Sequence, residues 1–267
     1  LFPPDLAARP ALREGFLREA RLAAKLSHPH IVPIHAVDDI GGFVFFVMPF
    51  VDGVTLTERV RTRGPLSASE GARVLREVAW ALDYAHRHGV VHRDVKPDNI
   101  LLETATGRAL VADFGIAAIT GDASTERVAG TPEFMSPEQA LGREIDTRSD
   151  LYSLGVTAYY AFSGRLPFEG KSAPEILARH VSDAPEPLTS LGLAVPRKLA
   201  LLVDRCLAKD PADRPVSAQA LADQLGVAIE QRRELPAVLR GFVKRGGRMD
   251  SGGTVISVSV LAVTSVL

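Results

Sequence analysis

One stretch constrains this chain more than any other: LYSLGVTAYYAFSG, residues 151–164, apolar on nearly every face. It is shorter than the roughly 20 residues that cross a bilayer, so it predicts a helix buried in the middle of a fold. A helix without a solvent face must be surrounded, and the rest of the sequence offers the surrounding pieces. From Ala11 to Leu26 the residues Leu12, Phe16, Ala20, Ala23 and Ala24 fall at helical spacing, and Pro29 ends the pattern. IVPIHAV and FVFFVMPF, separated by DDIGG, read as two strands and a turn, with Pro33 making the first an edge or irregular strand. Ser67 with Glu70 makes a capping-box signature ahead of Leu75, Val78, Ala79, Leu82 and Ala85, and Gly89 stands where a C-terminal cap would. NILL and ALVADFG bracket a polar turn holding Gly107 and predict a short hairpin, and further helices are expected over 174–180, 197–208 and 218–231. Strands and one helix come first and helices dominate afterwards, an α+β order.

The 267 residues are 46% hydrophobic and 24% charged, enough to bury a substantial core. Lysine plus arginine, 31, nearly cancels aspartate plus glutamate, 32, which removes any global electrostatic case for a nucleic-acid partner. Cys206 is the only cysteine, so no internal disulfide can form, and it reads as a small core residue. The opening LFPPDLAARPALREGF has neither a basic leader nor an apolar run. Beginning at Leu1 rather than methionine, the chain reads as a piece of a longer protein.

The helix that follows Ser67 delivers the chain into VVHRDVKPDNILL, residues 90–102. Here His92, Arg93, Asp94, Lys96, Asp98 and Asn99 crowd between the apolar flanks Val90, Val91, Ile100, Leu101 and Leu102. Those flanks fit a solvated turn as well as a catalytic loop held on a rigid core. ADFG at 112–115 weighs toward the second, because Asp94, Lys96, Asn99 and Asp113 have the spacing H-R-D-x-K-x-x-N followed by D-F-G. Alone, Asp94 or Asp113 would be an ordinary turn residue or helix cap. In this order and context they resemble the protein kinases, in style closest to the bacterial serine/threonine kinases of eukaryotic type.

Moving a γ-phosphoryl group requires an aligned acceptor hydroxyl and neutralisation of the charge spread over the phosphate oxygens. The resemblance implies that Asp94 accepts or orients the hydroxyl proton and that Lys96 helps neutralise the transferring phosphate. Asn99 and Asp113 would supply hard oxygen ligands to Mg²⁺, with ATP as the phosphoryl donor. It also implies a peptide-receiving segment in GTPEFMSPEQ, residues 130–139, where Thr131 would contact the catalytic Asp and Lys of a serine/threonine-specific enzyme. Glu138 would form a buried ion pair with Arg214 of KDPADRP. Asp150 would brace the catalytic-loop backbone, a helix N-cap being its plainer role. Arg93 would bind a phosphate carried by the segment after DFG, with Thr125 and then Ser124 as modification sites. Toward the front, Glu19 matches the helix glutamate that pairs with an ATP-binding lysine. Met48, the Pro49 carbonyl, the Val51 backbone and Leu101 would border the adenine. Pro49 departs from the acidic residue common at its position, although a proline keeps its carbonyl acceptor.

The glycine-rich loop and the V-A-I-K lysine that open the family pattern do not occur in residues 1–18, and Lys25 follows Glu19 on the same helix. The expectation is therefore a two-lobed kinase fold over 1–230, with a remnant small lobe at 1–50 and a large lobe at 51–230. The parent protein is expected to be active and this piece alone inactive. Residues 231–253 form a basic linker; the six basic side chains against two acidic ones over 231–250, followed by uncharged TVISVSVLAVTSVL at 254–267, read as the start of a membrane helix on a cytoplasmic kinase. Expected partners are protein substrates bearing Ser or Thr, ATP, and a second copy for activation-segment autophosphorylation. Two rivals compete: a pseudokinase scaffold that binds without turnover, and a small-molecule phosphotransferase, for which GTPEFMSPEQ has no obvious use.

Overall fold

A computed structural model of the chain describes residues 10–40, 43–114 and 131–230. Helix α1, Pro10–Ala23, presents Phe16 and Ala20 to the hairpin of β1, Ala36–Ile40, and β2, Phe43–Val47. Phe16 stacks on Phe46 at 6.4 Å, and Arg13 forms an ion pair with Asp39 of β1. The register pairs Ala36 with Val47 and Ile40 with Phe43. The strand expected over 31–37 thus begins five residues late and takes in Asp38 and Asp39, which the sequence had suggested as turn. Pro33 explains the delay, since it has no N–H to give a ladder. Ile31 instead bridges to Val111, with Val32 N–H donating to Val111 O and Val111 N–H to His30 O, both at 2.9 Å.

A second sheet, antiparallel in the order β3-β4-β5, joins β3, Gly53–Thr55, to the predicted hairpin of β4, Ile100–Glu103, and β5, Ala109–Val111. Leu101 faces Leu110 and Ile100 faces Val111 across that hairpin. Thr55 then starts helix α2, Leu56–Arg63, through a full capping box with Glu58. Neither β3 nor α2 was anticipated, although T-x-x-E is the same signature that marked Ser67.

At Ser67 only half of the box forms. Ser67 Oγ caps the Glu70 N–H at the start of α3, Ala68–Arg87, while the Glu70 carboxylate turns to Arg59 in a bidentate pair at 2.8 and 3.1 Å. A guanidinium fork outcompetes one backbone N–H for a carboxylate. The far end closes as predicted, with Gly89 at φ +74, a left-handed conformation that costs glycine little.

The apolar stretch at the centre becomes α5, Thr147–Ser163, with 13 of its 17 residues buried. Around it pack α3, α7 (Arg197–Cys206) and, against α3 and α7, α8 (Ala218–Glu230). Close approach is built in: a Cβ on Gly155 of α5 would sit 2.6 Å from the Cβ of Cys206, which is buried as expected. Helices α4, Pro137–Ala140, and α6, Ala173–Ser182, pack on each other. No helix among the described residues is long and apolar enough to cross a membrane, and the segments at 231–253 and 254–267 lie outside them.

Candidate active site

The β4–β5 hairpin brings two distant acids to one end of a sheet. Asn99 precedes β4 and Ala112 follows β5, and Ala112 N–H donates to Asn99 O at 2.9 Å. His92, fully buried, holds the same junction from the other side: its Nε2 donates to Ala112 O at 2.9 Å and its Nδ1 accepts the Asp94 N–H at 3.3 Å. A carbonyl can only accept, so the ring carries a proton on Nε2. Phe114 packs 4.6 Å from that ring. The loop bearing Asp94 and the segment bearing Asp113 are therefore tied together through Ala112.

Two residues here, Arg93 at φ +68 and Asp113 at φ +62, are the non-glycine residues in left-handed backbone among the described residues. Each costs on the order of 1 kcal/mol or more and persists only when its surroundings over-determine it. At Arg93 the restraint is Asp150, fully buried in the first turn of α5: Oδ2 accepts His92 N–H at 2.8 Å and His86 Nε2–H at 2.7 Å, and Oδ1 accepts Arg93 N–H at 2.8 Å. Gln139 Nε2 fixes the Arg93 carbonyl at 2.8 Å. Burial works to raise the Asp150 pKa, but the hydrogen bond and charge of His86 and the proximity of His92 more than offset it, holding the carboxyl below the usual range. The N-cap role belongs to Asp146, whose side chain accepts the Arg148 N–H. Asp150 is left to the loop and to His86 of α3.

Within the loop, Lys96 Nζ lies 2.7 Å from Asp94 Oδ2 and donates to Thr131 Oγ1 at 2.8 Å. Asn99 Nδ2 donates to Asp94 O at 2.8 Å and to its Oδ2 at 3.2 Å. Asp94, Lys96 and Asn99 are thus brought together, and Thr131 joins them through Lys96, its hydrogen bond being to the lysine of the expected Asp–Lys pair. With Nδ2 taken up by Asp94, Asn99 offers Oδ1, and the solvent-exposed Asp113 offers its carboxylate. These are hard oxygen donors of the kind Mg²⁺ selects.

Val51 and Leu101 pack against Val32, Leu110 and Ala112, an apolar floor that leads to Asp113. Pro49 is half-buried and Met48 is exposed. Glu19 is partly exposed, 3.9 Å from Arg18 Nε. Lys25 sits in the turn after Ala23, off the helix that the sequence had placed it on, and is exposed. The Arg93 Nε is buried without an acceptor among the described residues. Ser124 and Thr125 lie outside them.

Glu138 and Arg214 meet as a bidentate pair at 2.7 and 2.9 Å. Arg214 also donates to the carbonyls of Ala208, Arg148 and Lys209, so all five N–H groups of its guanidinium are taken. Burial raises the Glu138 pKa, but hydrogen bonds from Arg214 and Ser149 with the guanidinium charge hold it below the carboxylate norm. The pair pins α4, and Gln139 on that same short helix reaches Arg93. His86, Gln139 and the hydrogen-bonding role of His92 escaped the sequence reading. Of these only Gln139 left a local mark, the S-x-x-Q box with Ser136.

The protein kinase domain model matches residues 7–225. Serine/threonine-protein kinase pkn2 of Myxococcus xanthus is 42% identical over 234 residues, 84% of this chain and 28% of that protein. PknB of Mycobacterium tuberculosis is 38% identical over 245 residues, 88% of this chain and 39% of that protein, so the chain spans well under half of either relative. Among solved structures, the Mycobacterium tuberculosis PknI kinase domain aligns with a TM-score of 0.68 at 33% identity, over 85% of this chain and 83% of that one. Rad53 1-466 in complex with AMP-PNP aligns with the same TM-score at 27% identity, over 79% and 55%. The fold, the tied loops and these matches agree: the chain belongs to the protein kinase family.

Proposed function

We propose that the protein carrying this chain is a serine/threonine protein kinase, transferring the γ-phosphoryl group of ATP to hydroxyls of protein substrates. The observation that carries the reading is the line Asp94–Lys96–Thr131, with Asn99 bonded to Asp94 at its base. Asp94 keeps Oδ1 for a substrate hydroxyl while Lys96 and Asn99 orient its other oxygen. The carboxylate can then take the hydroxyl proton as the new P–O bond forms and the bond from the γ-phosphorus to the bridging oxygen breaks, ADP leaving. Lys96 places a cation beside the charge that develops on the transferring group. Asn99 and Asp113 would hold Mg²⁺, whose chemistry is to screen the phosphate oxygens. Met48 and Leu101 would border the adenine, and the Pro49 carbonyl and the Val51 backbone would meet its edge.

Thr131 on Lys96 favours serine or threonine over tyrosine as acceptor, by resemblance to the family. The buried Nε of Arg93 supports regulation through a phosphate on Thr125 or Ser124. Anchoring through 254–267 rests on the basic run that precedes it. The test is phosphoamino-acid analysis after incubating the intact protein with Mg²⁺, γ-labelled ATP and a mixed protein substrate. Label on serine and threonine is expected; label on tyrosine alone, or none on protein, contradicts the reading.

A further inference from the structure

A histidine that belongs to none of the motifs above reaches the turn that follows Thr131. His180 of α6 has no exposed surface and uses both ring nitrogens. Nε2 is 3.0 Å from Glu133 O and Nδ1 is 2.9 Å from the Tyr152 hydroxyl. Because Glu133 O can only accept, the proton sits on Nε2 and Tyr152 donates to Nδ1. Lys209 Nζ closes the group, donating to His180 O at 2.6 Å and lying 3.4 Å from the Tyr152 oxygen, with its charge 4.2 Å over the Phe168 ring. Phe168 packs edge-on to His180 at 4.8 Å. Burial, helped by the Lys209 charge, pushes the His180 pKa down to about 4, so the ring is an uncharged directional donor at neutral pH.

The acceptor is the middle residue of the single turn Pro132–Phe134. Within it Phe134 N–H donates to Thr131 O and Met135 N–H to Pro132 O, which leaves Glu133 O to His180. Lys96 holds Thr131 from the catalytic side and His180 holds Glu133 from the core side. Tyr152, two residues after Asp150 on α5, links this donor to the same helix that braces the catalytic loop.

We propose that His180 is a positioning residue for the protein substrate: its Nε2–H, oriented by the Tyr152 hydroxyl, sets the turn after Thr131 at a fixed depth relative to Asp94 and Lys96. This rests on the kinase reading. A donor that fixes only the peptide-side turn should change how protein substrate binds and leave nucleotide binding alone. Loss of one oriented hydrogen bond at such a site corresponds to roughly a tenfold effect.

The test compares wild type, His180→Leu, His180→Gln and Tyr152→Phe in the intact protein. It measures KM for a serine/threonine peptide, KM for ATP, and amide exchange at Phe134 and Met135. His180→Leu fills the space without a donor, and His180→Gln restores an N–H at the reach of Nε2. Should His180→Leu fold poorly, Tyr152→Phe removes only the oxygen that orients the ring. Expected are a peptide KM raised about tenfold in His180→Leu and less in Tyr152→Phe, partial rescue in His180→Gln, an unchanged ATP KM, and faster exchange at both amides. Equal rises in both KM values, or an unchanged peptide KM in an active protein, overturn this inference alone. A wild type that phosphorylates no serine or threonine overturns the kinase reading and this inference with it.

Discussion

The Asp150 carboxylate accepts the backbone N–H of Arg93 at 2.8 Å, across 57 residues of chain, and Arg93 holds a left-handed φ of +68. A helix buried on every side thus reaches out through its first turn to hold a strained loop. Replacing Asp150 with Ala strands two backbone donors and the His86 donor. A loss of about 3–5 kcal/mol in urea unfolding is expected, as for other broken buried charge networks. Asp150→Asn keeps one acceptor and should fall between. A loss below about 1 kcal/mol, within the range of surface substitutions, would show that the loop is held by something else.

Glu138→Ala should cost about 3–5 kcal/mol, because Arg214 stays buried with its charge uncompensated. Ser149→Ala, which removes one hydrogen bond to the same carboxylate, should cost about 1 kcal/mol. Chemical denaturation of both variants checks the order, and equal losses would contradict it.

Stability should fall on acidification in a window set by His180. Its folded pKa, about 4, lies below the unfolded value near 6.5, so the unfolded chain binds more protons between them. The contribution is complete above about pH 6.5 and is lost as pH falls toward 4, amounting to about 3 kcal/mol. Asp150 and Glu138, whose carboxyls are held low, act in the same sense at more acid pH. Unfolding free energy measured at pH 7 and pH 4.5 should differ less in His180→Gln than in wild type. Equal pH slopes would remove His180 as the cause.

Gly155→Ala should destabilise by about 1–3 kcal/mol, since its Cβ would press on Cys206 and force α5 from α7. A thermal melt of this single variant is sufficient. No change in midpoint would mean that the two helices separate freely.

What was legible in the sequence was local. HRDVKPDN, ADFG and GTPEFMSPEQ carry their chemistry in consecutive side chains, and the S-x-x-E box at Ser67 marks a helix start within four residues. The ring partners of His180 lie 28 and 47 residues away and those of Asp150 57 or more, and nothing near either residue announces them. The N-cap of α5 went to Asp146 rather than Asp150 for the same reason: both precede or open the same apolar run, and only packing distinguishes them. Strand β3 was hidden by its brevity, since three residues give no period to read. In the first hairpin the apolar residues of IVPIHAV outweighed Asp38 and Asp39, yet Pro33 decided where pairing could begin.

The most direct test is Asp94→Asn in the intact protein, with phosphoryl transfer to serine and threonine timed at saturating Mg·ATP and the thermal midpoint measured alongside. Removing a positioned general base should lower the rate by about 10²–10⁴-fold while the protein stays folded. A folded variant that retains transfer within about threefold of wild type contradicts the assignment of Asp94, and with it the phosphotransfer site built around that residue.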